Sequence, residues 1–243
     1  MEEVLNRLLD QFNLSVANEA KARKLFKKIS DGVGTYEDAN NLALLIGEKL
    51  SVVVSDGLTA DVIAGANISL EEAETVLKPL LNEGYNKVIN PTEAVQTTLN
   101  KKAGLGLKAK RPTFDNDRAQ RLCEKVASYA TLDESKWVLD QPVVNFIQAI
   151  VDESVQLNSE FQFNAGLNPK ITRVASAGAC KWCINLAGEY EYPGVPKDVF
   201  RRHERCNCVV EYDPGGKRVQ DVWSKKWKQK QEAEKKERIA TLT

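Results

Sequence analysis

The sequence predicts a mainly α-helical chain with a small C-terminal α+β module, in which short antiparallel strands are stapled by a Cys/His zinc site. Three observations carry that expectation. Apolar residues recur at helical spacing through the first two thirds of the chain. Capping boxes and Asn, Gly and Pro punctuation stand where such runs should start and stop. After Gly166 the pattern changes to short alternating segments around four cysteines and the only histidine.

Taken in order, Val4, Leu5, Leu8, Leu9 and Phe12 mark a first helix, and Lys21 to Ile29 a basic amphipathic one that ends near Asp31-Gly32. Thr35-Tyr36-Glu37-Asp38 reads as a capping box with Asp in the usual Glu place, opening a helix through Leu42, Leu45, Leu50 and Val54 that Gly57 ends. Ser69-Leu70-Glu71-Glu72 opens another through Val76, Leu77, Leu80 and Leu81, with Pro79 placed to kink or shorten it. Asn90-Pro91 has the form of a fresh start, with Asn as cap and Pro at the first helical position. Residues 101 to 116, with Gly104, Gly106, Pro112 and five basic side chains, read as a linker or irregular hinge. Gly104-Leu105-Gly106 lacks the GK[ST] ending of a phosphate cradle. Helix resumes at Asp117 through Leu122, Val126 and Tyr129, and again in a long run from Val143 through Val155 toward Phe161 and Phe163. Ile171–Ala175, Glu189–Tyr192 and Cys208–Tyr212 read as strands, Val195–Phe200 as a short helix, and Asp213-Pro214-Gly215-Gly216 as a turn. The organisation is therefore a helical N-terminal region (1–105), a helical segment (106–170), a zinc-binding module (171–216) and a basic helical tail (217–243).

Cys180-Lys181-Trp182-Cys183 and His203-Glu204-Arg205-Cys206-Asn207-Cys208 carry the strongest chemical signal. A CxxC knuckle turns two thiolates toward one ion, and a His-x-x-Cys-x-Cys return can close a tetrahedron around it. Zn²⁺ suits thiolate and imidazole donors and four-coordination. Cys180, Cys183, His203, Cys206 and Cys208 offer five ligands for four places. Cys206 and Cys208 share one side of an extended segment, so spacing does not choose between them. Disulfides, a thioredoxin-like CxxC and buried unliganded thiols are weaker readings. Met1-Glu2-Glu3 begins no signal peptide, a reducing compartment disfavours disulfides, and no βαβ unit surrounds the CxxC. The fifth cysteine, Cys123, is expected to be a small core residue.

A closed, cysteine-rich site is structural rather than catalytic in character. If the single histidine is a ligand, none remains for a Ser-His or Cys-His dyad, and no P-loop, dinucleotide turn or HExxH is present, so no enzyme activity and no small-molecule substrate are expected. No apolar run reaches membrane-span length. Net charge is zero, but residues 1–100 hold 9 Lys/Arg against 15 Asp/Glu and the remainder holds 25 against 19. Arg201, Arg202 and Arg205 beside the ligands, with Lys225 and Lys226 in the tail, are candidate contacts for DNA phosphates or an acidic partner; a solvated face accounts for the three arginines equally well. For the tail, the simpler reading is a solvated helix docked by Trp223 and Trp227, four residues apart.

From about Val143 to Trp227 the chain resembles the phage minor head proteins, the head-morphogenesis family typified by Mu gpF. The resemblance rests on Ile150–Val155, Ala165-Gly166-Leu167-Asn168-Pro169-Lys170-Ile171-Thr172-Arg173, the CxxC at 180–183, Leu186-Ala187-Gly188, Val195–His203, Cys206-Asn207-Cys208, and Gly216-Lys217 followed by Val222-Trp223. The order CxxC, then a Leu-Ala-Gly element, then His-x-x-Cys-x-Cys is specific; the first 100 residues carry no such motif. What the resemblance implies is a minor virion protein that acts in head assembly or at DNA entry and exit. Its partners would be the portal protein or the capsid interior, with possible DNA contact. Its place would be the virion head, and the host cytoplasm during assembly. Some members carry fused toxin or other enzymatic domains beyond this region; the stretch after the metal motif is too short for one, so an effector role is not expected.

Overall fold

The first two helices turn on one residue. α1 (Glu2–Asn18) buries Leu8, Phe12 and Val16, one residue per turn along a single stripe. Glu19 ends it and caps α2 (Ala20–Ser30) by accepting the N–H of Lys21, while its carboxylate pairs with Lys49 at 3.0 Å. The computed structural model that shows this describes residues 1–59, 62, 63 and 66–215.

Both sequence-predicted capping boxes form. Thr35 and Asp38 exchange bonds at the start of α3 (Tyr36–Gly57), and Ser69 and Glu72 do so at the start of α4 (Leu70–Lys102). α4 corrects one expectation: no new helix begins at Asn90-Pro91, and Pro79 does not shorten the first. A single helix of 33 residues runs through both prolines. Each proline withholds one N–H from the helical ladder. Its stripe of Val76, Leu77, Leu80, Leu81, Gly84, Val88, Ile89, Thr92 and Val95 stays buried across both positions, so packing overrides the local preference.

α5 (Asn116–Ala127) is capped by Asp115 and buries Ala119, Cys123 and Val126; Tyr129, expected within it, lies beyond its end. α6 (Leu132–Leu139), capped by Thr131, has no counterpart in the sequence reading. α7 (Gln141–Asn164) is the central helix, with buried side chains on nearly every side, among them Val144, Ile147, Val151, Val155 and Asn158. Close crossings set its position. A Cβ on Gly47 of α3 would lie 3.0 Å from the Val144 Cα, and one on Gly84 of α4 would lie 2.6 Å from the Ile147 Cδ1.

The segment between α4 and α5 is irregular, as expected, but it is not a hinge. Tyr85 Oη donates to the Pro112 carbonyl at 2.7 Å, and Asn158 both accepts the Lys110 N–H and donates to the Lys110 carbonyl at 2.8 Å. We call it the strap.

β1 (Lys170–Val174) is the middle of a three-stranded antiparallel sheet, flanked by β2 (Gly188–Glu191) and β3 (Val209–Asp213). Ile171 stands opposite Tyr190 on one side and Tyr212 on the other. A 3₁₀ turn, Lys197–Phe200, takes the place of the expected short helix. Gly215 donates its N–H to the Asp213 carboxylate and adopts a left-handed φ of 73°, giving the expected turn its geometry. Ile171, Val199, Val210 and Tyr212 belong to the same apolar cluster as Leu8, Leu50 and Ile147, so one core crosses the boundary drawn at residue 170. A buried polar chain crosses it too: Tyr36 donates to Gln96, Gln96 and Gln162 both donate to Asn100, and Tyr212 donates to Gln162.

Candidate metal centre

Cys180 is the N-cap of a five-residue helix, α8 (Lys181–Asn185), whose single turn carries Cys183 to the inside. Cys180 makes no side-chain cap bond, but the nearby backbone N–H groups of Cys183 and Trp182, Cys183 foremost, hold its thiol below its ordinary pKa. This is the local geometry a knuckle requires: short chain, converging sulfurs, N–H groups ready to stabilise thiolate charge.

The five sequence-predicted ligands come together as two triads that share Cys183: Cys180, Cys183 and His203, and Cys183, Cys206 and Cys208. Within each, the ligand atoms all lie within 4.8 Å of one another. His203 Nε2 is 3.4 Å from the Cys180 sulfur and 3.0 Å from that of Cys183, and the Cys183 and Cys206 sulfurs are 3.7 Å apart. His203 Nδ1 lies 2.6 Å from the Glu204 carbonyl. A proton on Nδ1 makes that bond and leaves the Nε2 lone pair facing the sulfurs, the arrangement in which histidine binds metals. The Trp182 ring packs edge-on against the imidazole at 5.7 Å and covers that side. The cluster is therefore positioned to hold a metal ion.

Cys183, Cys206 and Cys208 are buried, while Cys180 is exposed. Burial pushes the Cys183 thiol up to about 12, against the pull of Arg173. Burial also works to raise Cys208, but the N–H of Ser176, the neighbouring thiols and Arg173 bring it below its ordinary value. Three converging sulfurs in a dry site favour thiolate only when cations stand by.

Two arginines supply that charge, and the sequence reading assigned neither this place. Arg173 shares the inward face of β1 with Ile171 and is 2 % exposed. One of its terminal nitrogens donates to the Val199 carbonyl, and the other lies 3.7 Å from the Cys183 sulfur and 3.6 Å from that of Cys206. Its Nε has no partner among the described residues. A guanidinium buried this deeply needs anionic neighbours, and sulfurs as thiolates provide them. The available signal was positional: a charged residue two along from Ile171 on the same strand face.

Arg202 corrects the expectation of a partner-binding residue. Its side chain is 3 % exposed and forms a two-pronged pair with Asp152 of α7, at 2.9 Å for the Nη2 arm. It also donates to Asn40 of α3 at 2.6 Å, and to the carbonyls of Cys206 and Cys208 at 3.2 and 3.0 Å. Burial disfavours its charge, but Asp152 outweighs that and raises its pKa. No donor is left for a phosphate or an acidic surface. Arg201 and Arg205 do reach solvent, 71 % and 79 % exposed; Arg201 pairs with Asp198 at 3.1 Å, and the Arg205 backbone donates to Gln141. Lys225 and Lys226, with the expected tail helix and its Trp223 and Trp227, lie outside the described residues.

Cys123 is a core residue, as expected: fully buried, 3.6 Å from the Ala73 carbonyl, its thiol pushed up to about 11 by burial. Among the described residues no helix is long and apolar enough to cross a membrane. No family model, no curated protein and no solved structure matches the chain.

Proposed function

We propose that this chain is a structural minor head protein of a tailed phage or prophage, working at the portal or the capsid interior, and that its Cys/His cluster holds one structural zinc. The observation that carries the reading is the cluster's surroundings. Arg202 joins the carbonyls beside two ligands to α3 and α7, so an ion held there would clamp the sheet to the helices. Zinc suits the donor set, and with Zn–S bonds of about 2.3 Å a tetrahedron places sulfurs about 3.8 Å apart. The Cys183 and Cys206 sulfurs stand at 3.7 Å. His203 Nε2 with Cys180 and Cys183 supplies three donors, and Cys206 or Cys208 the fourth.

The ordered motif series from the CxxC to the Cys-x-Cys supports placing this staple in a phage head, and a structural role follows from the ligand set. The one histidine faces the sulfurs, which leaves none for acid-base catalysis. The competing reading is a nucleic-acid-binding zinc module working through Arg201, Arg202 and Arg205. It loses its central residue to Asp152. The experiment has two arms. Native mass spectrometry should find one zinc per chain, lost in Cys183→Ser. Proteomics of purified virions and procapsids made by the source genome should find the protein at low copy number beside the portal. Its absence from both particles would overturn the virion assignment, and a metal-free wild type would overturn the zinc.

A further inference from the structure

Two stretches of the described chain carry one-sided positive charge; in α2, Lys27 and Lys28 are paired with Asp31 and Asp38, and the other run lies at the end of α4 and in the strap. From Lys101 to Arg111 the last residues of α4 and the first part of the strap hold five basic residues and no acidic one. Exposure alternates along it: Lys102, Gly104, Gly106, Lys108 and Lys110 face solvent, while Ala103, Leu105, Leu107 and Ala109 are half-buried. Lys101 and Lys102 close the last turn of α4, and Gly104 turns the chain with a left-handed φ of 69°; beyond it, in extended chain, residues two apart such as Lys108 and Lys110 point the same way at about 7 Å, a separation comparable to that of successive phosphates along a nucleic-acid strand.

A charge run on a loose linker is ordinarily just solvated. This one is held rigid from beneath. Asn158, fully buried, grips both polar groups of the Lys110 backbone, buried Asn100 donates to the Leu107 carbonyl at 3.0 Å, and the Leu105 N–H donates to the Asn100 carbonyl at 2.8 Å. Lys101, Lys102 and Lys108 have no carboxylate partner among the described residues, whereas Arg111 pairs with Glu93. The Lys110 ammonium lies over the Phe161 ring at 4.3 Å, which fixes its position. Between the lysines the main chain is open. The N–H groups of Gly106, Leu107, Lys108 and Ala109 meet no described backbone carbonyl. Gly106 has no left-handed φ, and a Cβ there would touch nothing within 4 Å, so neither backbone nor packing asks for glycine. Its effect is to leave the main chain approachable.

We propose that residues 101–111 form a rail for the phosphate backbone of nucleic acid. Lys101, Lys102, Lys108 and Lys110 neutralise phosphates, and the free N–H groups beside Gly106 donate to phosphate oxygens. Up to Lys110 the outward face is lysine and glycine alone. Protein interfaces disfavour lysine and centre on apolar anchors, which this face lacks, whereas nucleic-acid interfaces are polar and strongly basic. The contacts read no base, so binding is independent of sequence and sensitive to salt. The proposal rests on neither the zinc nor the virion assignment.

The test is fluorescence anisotropy of mixed-sequence duplex and single-stranded DNA probes against the full chain across a KCl series. The wild type should bind at least one probe. Replacing Lys101, Lys102, Lys108 and Lys110 by Gln should flatten the slope of log K against log salt by about 3 to 4, since each lost phosphate contact removes about 0.9 on duplex DNA and about 0.7 on single strands. Lys21→Gln with Lys24→Gln, which removes exposed charge from α2, should leave the slope unchanged. Matched circular dichroism melts would show that the strap variant still folds. A wild type that binds neither probe, or a strap variant with the wild-type slope, overturns the proposal. Capture of polyglutamate without capture of either DNA also overturns it and assigns the strap to an acidic protein.

Discussion

From Leu8 to Val155 the buried side chains are mostly aliphatic; the outer helices hide stripes of them against their neighbours, and α7 is buried on nearly every side. From Lys170 to Asp213 the buried set is Ile171, Arg173, Cys183, Val199, Cys206, Cys208, Val210 and Tyr212, half of them sulfur or charge. The first region has the length to bury a continuous apolar core. The second is three short strands and single turns of helix, with too little apolar surface to order itself. The difference teaches how a chain this size adds an irregular appendage to a bundle. It lends the appendage four apolar contacts and a buried ion pair, and leaves the rest to a cluster of metal-binding groups.

That contrast can be broken at its most dependent point. Cys183 belongs to both ligand triads, so Cys183→Ser should abolish metal binding. Structural zinc contributes on the order of 10 kcal/mol of binding free energy in small metal-folded modules. Hydrogen exchange should therefore lose protection through residues 170–213, while α3 and α4 keep theirs. Equal loss in both regions would mean that the two are one cooperative unit.

The next largest effect tests the clamp between them. Arg202→Met leaves Asp152 buried and unpaired, and should cost about 3–5 kcal/mol in urea unfolding with metal content retained. Arg202→Met combined with Asp152→Leu should recover much of that loss. A double variant no better than the single one would show that the bonds to Asn40 and the cysteine carbonyls carry the clamp instead.

On the bundle side, Ile147→Ala removes a fully buried side chain where α7 meets Gly84 of α4. It should lower global stability by about 2–5 kcal/mol and leave metal content untouched, the mirror image of Cys183→Ser. The smallest effect concerns the bundle's own charge. Burial pushes Glu153 up to about 7, with Arg118 pulling the other way. A carboxyl with a raised folded pKa contributes stability below its unfolded value, near 4.5, and loses it as pH climbs through 7. Glu153→Gln should therefore gain about 1–2 kcal/mol at pH 8, after allowance for screening by solvent, and nothing at pH 4. Chemical denaturation at the two pH values reads this directly; equal shifts at both would remove titration as the cause.

Local signals are legible in the sequence. Thr35 and Ser69 cap helices because the bonds they make close within three residues, and the CxxC converges within one turn. The strands were legible from alternation, and their order, β2-β1-β3, was not. What stayed hidden depends on distant neighbours. Pro91 looked like a beginning because its helical environment comes from α3 and α7 packed against α4. Arg202 looked like a surface residue because Asp152 lies 50 positions away and Asn40 lies 162 away. α6 leaves little trace in the sequence because eight residues give too few turns for a periodic signal.

The polar chain from Tyr36 to Tyr212 has a consequence in time. Gln96, Asn100 and Gln162 are fully buried in the finished molecule, and the oxygen of Gln162 gains its partner only when Tyr212, near the end of the described chain, arrives. That seam is therefore expected to stay unsatisfied in a folding chain until the segment carrying Tyr212 has been made. β3 is the keystone of an arch begun by α3, and truncation just before it should yield a collapsed but unsettled intermediate.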